Sequence, residues 1–200
     1  MGYFEIIERY QTKSEQEEQD RFLMLEQMDL TGNKILTREN EAAHMTSSAV
    51  ILNPALDKML MIHHKIYDTW TWTGGHADGE DNPLGTAIRE AREETGIEKM
   101  MPLSKDPISI EVLPVFGHQK KGAYVSTHLH FNTSFVLIAE ETELLVLNEE
   151  ETNGVQWVPV VKIGEYSNEP MLIEIYQKII RFAQSAYKSK ARQNGMEGKL

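Results

Sequence analysis

The chain contains no cysteine. That absence removes disulfide bonds, thiolate metal sites and any cysteine nucleophile, and it fits a reducing compartment. No apolar run approaches the roughly 18 residues that a membrane-spanning helix requires. The opening MGYFEIIERY has neither the basic nor the long apolar region of a secretory signal. The protein is therefore expected to be soluble and cytoplasmic, with no membrane partner. Positive charge is also scarce: 20 Lys and Arg stand against 31 Asp and Glu, a formal net charge of −11. Such a balance repels a polyphosphate backbone, so duplex nucleic acid is not an expected partner. Internal repeats and low-complexity tracts are missing as well. The 200 residues, 40% of them hydrophobic, suffice for one domain with a packed core and an extension.

Three zones follow along the chain. Residues 1–45 read as a helical extension, in which Phe22, Leu23, Leu25, Met28 and Leu30 make a partly amphipathic stretch closed by Thr31-Gly32-Asn33. Thr37, Glu39 and Asn40 read as the start of a second short helix leading to His44. From Ser48 the composition changes: Ala49–Leu52 and Met59–Ile62 across Asn53-Pro54 read as two strands and a turn. Tyr67–Thr73 reads as a short aromatic strand that delivers the chain to Gly74-Gly75. Ile108–Phe116 and Ser126–Ala139 read as a strand pair, and Val155–Pro159 as a last strand. Asn168-Glu169-Pro170 opens a helix in which Leu172, Ile175, Tyr176, Ile179, Ile180 and Ala183 recur at helical spacing. Strands mixed with helices over residues 46–187 imply an α/β domain, and the polar, basic residues 188–200 read as a loose tail.

Between Gly75 and Ile97 the chain spells GHADGEDNPLGTAIREAREETGI. On a helix from about Asn82 to Thr95, turning roughly 100° per residue, Leu84, Ala87, Ile88 and Ala91 form one stripe. Glu90, Glu93 and Glu94 cluster on another. Like charges three and four residues apart repel by about 0.2–0.5 kcal/mol per pair, so folding gains little from them unless a cation sits among them. Mg²⁺, which takes oxygen ligands and keeps several waters, is the natural guest. A solvated face is the ordinary reading of an acidic helix; the flanking glycines and Arg89 set this one apart.

Gly75, five residues, the acid Asp81, seven residues, Arg89-Glu90, Ala91, Glu93-Glu94, Gly96 and Ile97 closely resemble the Nudix box, GX5EX7REUXEEXGU. One position departs, because Asp81 stands where the family has Glu; Glu80, next door, is an alternative acid. The resemblance implies the Nudix fold, a mixed β-sheet sandwiched between α-helices, here with an N-terminal helical extension. It also implies a pyrophosphohydrolase whose box carboxylates hold Mg²⁺, with Mn²⁺ able to substitute, so that a water attacks one phosphorus of a diphosphate. Carried over residue by residue, Glu90, Glu93, Glu94 and the carbonyl of Gly75 are the metal ligands. Glu93, Glu94 and Arg89 are the catalytic residues, with Arg89 orienting Glu90 or Asp81. Several family members take their general base from a downstream loop, for which Glu149, Glu150 and Glu151 are candidates here; the alternative is a solvated turn.

Histidines form a second constellation. His76 follows the glycine pair, His118 sits in a loop, and His128 and His130 share a strand face because strand side chains alternate. They are candidates for phosphate contact or a second metal, against the ordinary reading of hydrogen-bonded or surface histidines. Trp70 and Trp72 are candidates to bind substrate by stacking on a base, although two alternating tryptophans also fit one buried face. The expected partner is a small-molecule diphosphate, such as a nucleoside diphosphate linked to another moiety, and residues 1–45 make a homodimer a candidate assembly. A Nudix-like ligand-binding or sensor module without catalysis is the alternative, but such modules commonly have broken boxes and an added DNA-binding module. Isopentenyl diphosphate isomerase shares the fold but relies on a cysteine, which this chain lacks.

Overall fold

The computed structural model describes residues 1–66, 68–120, 122–148, 150 and 152–197; the side chains of residues 120 and 188–197 are not among the described groups. Tyr67 lies outside them. In chain order the elements are α1 (Tyr3–Arg9), α2 (Glu15–Thr31), β1 (Ala43–Leu52), β2 (Lys58–His64), β3 (Thr69–Thr71), β4 (Thr73–His76), α3 (Pro83–Thr95), β5 (Met101–Pro102), β6 (Ser109–Val115), β7 (His118–Lys120), β8 (Ala123–Val125), β9 (His128–Ile138), β10 (Thr152–Pro159), α4 (Ile163–Tyr166) and α5 (Pro170–Glu197). This is a mixed sheet with helices, the α/β class implied by the sequence. Backbone contacts divide the chain into two compact units.

The first unit comprises Met1–Ala49, Thr73–Arg92 and Ser104–Phe135. Its strands are ordered β4, β1, β9, β6. β4 runs antiparallel to β1, pairing His76 with Thr46, and β6 runs antiparallel to β9, pairing Ser109 with Ser134 and Val115 with His128. β9 runs parallel to β1: the Leu129 N–H donates to the Ala42 carbonyl, and farther along the hydroxyls of Thr46 and Ser47 meet Asn132 and Thr133. Alternation then divides the residues by face. Ala43 and Met45 of β1, Ile110 of β6 and Phe131 of β9 join Tyr3, Ile6 and Ile7 of α1 and Met24 and Met28 of α2 in one buried cluster.

The N-terminal residues therefore furnish core, in part through the expected stripe: Met28 is buried and Leu23 and Leu25 pack against the cluster. Phe22 and Leu30 are 60% and 77% exposed, while Glu17, Met24 and Met28 are buried. Glu17 is tolerated inside because its carboxylate accepts the Lys13 N–H at 2.7 Å and the Ser109 hydroxyl at 3.0 Å. Nor does a helix start at Thr37. The Asn40 side chain accepts the N–H groups of Ala42 and Ala43 instead, a local bond that competes with helix, and β1 starts at Ala43, five positions before Ser48.

The second unit comprises Val50–Trp72, Glu93–Leu103 and Val136–Leu200. β2 pairs antiparallel with the end of β1, with β3 and with β10. Leu172, Ile175, Tyr176, Ile179, Ile180 and Ala183 of α5 are all buried, as their spacing requires. The Tyr176 hydroxyl hydrogen-bonds the Thr71 hydroxyl at 2.9 Å and accepts the Trp72 N–H at 3.3 Å. α5 continues to Glu197, through residues whose composition suggests a loose tail. Among the described residues no helix is long and apolar enough to cross a membrane.

Tyr3 gives the first test. It is fully buried and its hydroxyl pairs with Ser47 at 2.7 Å; burial pushes the phenol up to about 12, against the pull of the hydrogen bond with Ser47. Ionisation is easier in the unfolded chain, where the value is 10.0, so this contribution is whole below pH 10 and is lost as pH rises towards about 12. Tyr3→Phe is expected to cost about 1 kcal/mol at neutral pH, with the deficit against the parent shrinking between pH 10 and about 12. Urea unfolding across that range checks it, and a deficit independent of pH would contradict it.

Candidate active site

Gly75 lies on β4 one residue before its last, His76, and Glu90 lies on α3. A Cβ added to Gly75 would land on the Glu90 carboxylate, so only glycine lets this backbone and that carboxylate stand together. Arg89 completes the corner. Its Nη1 donates to Glu90 Oε1 at 2.6 Å, its Nη2 donates to the His76 carbonyl at 3.2 Å, and its Nε lies 3.7 Å from Glu80. The Glu90 side chain is 14% exposed. At the end of α3, Gly96 takes the positive φ of 73° that stops the helix, and a side chain there would strike Val146.

Glu90, Glu93 and Glu94 share α3 at spacings of three and four residues. Glu93 is exposed, whereas Glu94 is only 4% exposed. The donors expected there are all oxygen: carboxylates and, at Gly75, a peptide carbonyl. That composition fits a hard divalent cation such as Mg²⁺. Asp81 has another task, since its carboxylate accepts the Tyr3 N–H at 2.7 Å and so caps α1. Glu80 is the acid near Arg89.

The remaining candidates separate. Trp72 is buried, edge-on against Tyr176 at 5.2 Å between centroids, which makes it a core residue rather than a stacking platform. Trp70 is partly exposed and meets His63 and Tyr166 edge-on. Glu150 is exposed in a turn, where its N–H donates to the Asn148 side chain; Glu149 and Glu151 lie outside the described residues. His118 stands apart, with Nδ1 3.0 Å from the Phe116 carbonyl. His76, His128 and His130 do come together, and His44 of β1 joins them. Burial, then the neighbouring His76, His44 and His128, hold His130 down to about 2, and burial lowers His44 too.

A polar network continues from this cluster along the same face. The Asn132 amide accepts the hydroxyls of Thr46 and Ser48 and donates to Glu111 and Ser134. Ser134 donates to the same Glu111 carboxylate at 2.7 Å.

The NUDIX domain family matches residues 43–181. The chain belongs to the Nudix family of pyrophosphohydrolases. A probable DHNTP pyrophosphohydrolase of Lactococcus lactis subsp. cremoris is 26% identical over 134 residues, covering 66% of this chain and 77% of that protein. A solved C. elegans Ap4A hydrolase binary complex shares 18% identity and a TM-score of 0.54, covering 70% of this chain and 98% of that one. The E. coli dihydroneopterin triphosphate pyrophosphohydrolase shares 16% identity and a TM-score of 0.52, covering 70% and 95%. At these identities the solved structures show likeness of fold.

Two features of this Nudix site escaped sequence reasoning. His44 was hidden by placing the first strand too late, although its spacing of two from Thr46 and four from Ser48 is a strand signal. The division of labour between Glu80 and Asp81 depends on Tyr3, 78 residues away in sequence. It is testable: Asp81→Ala is expected to lower stability by about 1–2 kcal/mol through loss of a charge-assisted bond. Glu80→Gln is expected to change it by at most about 0.5 kcal/mol, because the Arg89 contact is long and partly exposed. Urea midpoints rank the two, and the reverse order would refute the assignment.

Proposed function

We propose that this Nudix protein is a Mg²⁺-dependent hydrolase that cleaves the pyrophosphate bond of a small diphosphate, such as a nucleoside diphosphate linked to another moiety. The observation that carries the reading is the corner at Gly75, where a missing Cβ, the Glu90 carboxylate and the Arg89 guanidinium stand together. Glu90, Glu93, Glu94 and the Gly75 carbonyl are the groups that would hold the cation, and Mn²⁺ suits the same oxygens. When bound, such an ion supplies positive charge against the diphosphate and acidifies water.

The chain's own residues do the rest. Arg89 fixes the Glu90 carboxylate against β4, so that it meets its ligand already oriented. Glu94 is held in a buried setting in which charge interactions are strong. Glu93 stands exposed on the same helix. Glu149, Glu150 and Glu151 are the proposed source of the general base, and His76, His128 and His130 are proposed to meet the substrate beyond its diphosphate.

A substrate panel tests this: dihydroneopterin triphosphate and dinucleoside polyphosphates, on which the named relatives act, together with nucleotide sugars, ADP-ribose and nucleoside triphosphates. Hydrolysis of at least one is expected with Mg²⁺, and none in chelator. Glu94→Gln, verified as folded by circular dichroism, is expected to lower turnover about 10²–10⁴-fold. Parent-level turnover in that variant would remove Glu94 from the catalytic set, and no hydrolysis of any compound with metal present would leave a binding module as the better reading.

The base has a separate signature. One of Glu149→Gln, Glu150→Gln and Glu151→Gln is expected to slow turnover about tenfold or more, while the Mg²⁺ titration midpoint stays at the parent value. Full rate in all three would return the base to the box or the histidines.

A further inference from the structure

His44, His76 and His130 belong to three neighbouring strands of one unit, and the strand register explains why they meet. Thr46 pairs with His76 across β1 and β4. His44, two positions before Thr46, lies on the same face. Thr46 also reaches Asn132, two positions after His130 on β9, which sets His130 on that face as well. One ring nitrogen from each of the three histidines lies within 4.8 Å of the other two. Their ring centroids are 4.8 Å apart for His44 and His76, 5.1 Å for His44 and His130, and 4.7 Å for His76 and His130.

Hydrogen bonds fix the tautomers at the edge of this cluster. His44 Nδ1 lies 3.2 Å from the Asn40 carbonyl, which can only accept, so Nδ1 carries the proton and Nε2 carries a bare lone pair. That Nε2 is buried and has no hydrogen-bond partner among the described residues. A buried acceptor left in this state is unfavourable and calls for an electron-pair acceptor. His128 repeats the pattern: Nδ1 donates to the Ser126 carbonyl at 2.8 Å, and its Nε2 lies 3.3 Å from His130 Nε2.

We propose that His44, His76 and His130 form a binding site for a divalent transition-metal ion, with zinc the natural occupant and His128 a positioning residue that orients His130. The donors decide the class of ion. Imidazole nitrogen suits zinc and its neighbours, whereas Mg²⁺ prefers the oxygens of the Nudix box. Metal-ligating histidines commonly donate the other ring N–H to a carbonyl, as His44 does to Asn40. Tetrahedral zinc with nitrogen ligands at about 2.0–2.1 Å places them roughly 3.3 Å from one another, so small inward rotations of the rings complete the site. Three ligands leave a fourth position for water or a substrate oxygen. The site also touches the box without sharing donors with it, because the His76 carbonyl accepts from Arg89 and His76 follows Gly75.

The test is metal content. The full chain is stripped with chelator and titrated with zinc against a chromophoric competitor, and retained metal is counted by mass spectrometry. One zinc per chain is expected. His44→Ala and His130→Ala are expected to weaken binding about 100-fold or more, and His128→Ala about tenfold. Glu90→Gln and His118→Ala are expected to keep the parent affinity. In case the histidine variants fold poorly, the parent protein is followed by ¹⁵N NMR of its imidazoles, where zinc should shift the His44, His76 and His130 ring nitrogens, and not those of His118. Absence of tight zinc in the parent, retention of full affinity in both ligand variants, or loss of zinc in Glu90→Gln would each overturn the site. None of these readouts depends on hydrolysis, so failure here and failure of the hydrolase reading are distinguishable.

Discussion

Arg89 joins a helix to the strand that precedes it through three acceptors of different kinds. The guanidinium meets the carboxylate of its neighbour Glu90, the main-chain carbonyl of His76 and, at longer range, Glu80. Only arginine has the charge and the planar fork of donors for this; a lysine ammonium is a point charge on a flexible stem. The bond to the carbonyl is the consequential one, because it locks the backbone leaving Gly75 at a fixed distance from α3. With that distance fixed, a methyl group at Gly75 and a carboxylate at Glu90 exclude each other. The glycine and the arginine of the box are thus two parts of one constraint, and the carboxylates of α3 take their position from it.

The same loop is tied from its other side. Asp81 caps α1 through the Tyr3 N–H, and the Tyr3 ring runs into the sheet to reach Ser47, which in turn pairs with Thr133. The family match begins at residue 43, the first residue of β1. What precedes it supplies the apolar side chains that cover one face of β1, β6 and β9. Glu17 makes the attachment specific, since a fully buried carboxylate needs its donors from Lys13 and Ser109 in place. In this chain residues before the matched region contribute to the core, and Asp81, which stands where the family pattern has Glu, caps α1.

How much of this could be read from the sequence depended on the range of the interaction concerned. The box was legible because its constraint is local, with glycine, arginine and glutamates at spacings that a single turn-and-helix fixes. α5 was legible because its apolar residues recur with the period of a helix over several turns, and the β1–β2 hairpin because Asn53-Pro54 interrupts two apolar runs. Three things were not legible. The face of α2 was read only in part, because Met24, outside the expected stripe, is buried on the same helix as a buried Glu17 while Phe22 and Leu30 are exposed, a choice made by tertiary partners rather than by hydrophobic spacing. The start of β1 was set too late because Asn40 turns the chain through a side-chain bond that looks in sequence like a helix cap. With β1 shortened, His44 lost its place on the face it shares with Thr46.

That face shows how one sheet serves stability and chemistry at once. Alternation commits Ala43, Met45 and Phe131 to one side of β1 and β9, and by the same geometry sends His44, Thr46, Ser48, His130 and Asn132 to the other. A buried polar row is costly unless every member is satisfied. Asn132 meets that demand by using both ends of its amide, accepting from β1 and donating to Glu111 and Ser134. At the histidine end the pattern breaks, because His44 Nε2 has no hydrogen-bond partner among the described residues and its ring stands against those of His76, His128 and His130. Neutral imidazoles can satisfy one another in pairs, as His128 and His130 do, but an odd lone pair is left over. The row is complete over Thr46, Ser48, Asn132 and Ser134 and incomplete at His44, whose ring meets that of His76, the residue that follows the glycine of the box.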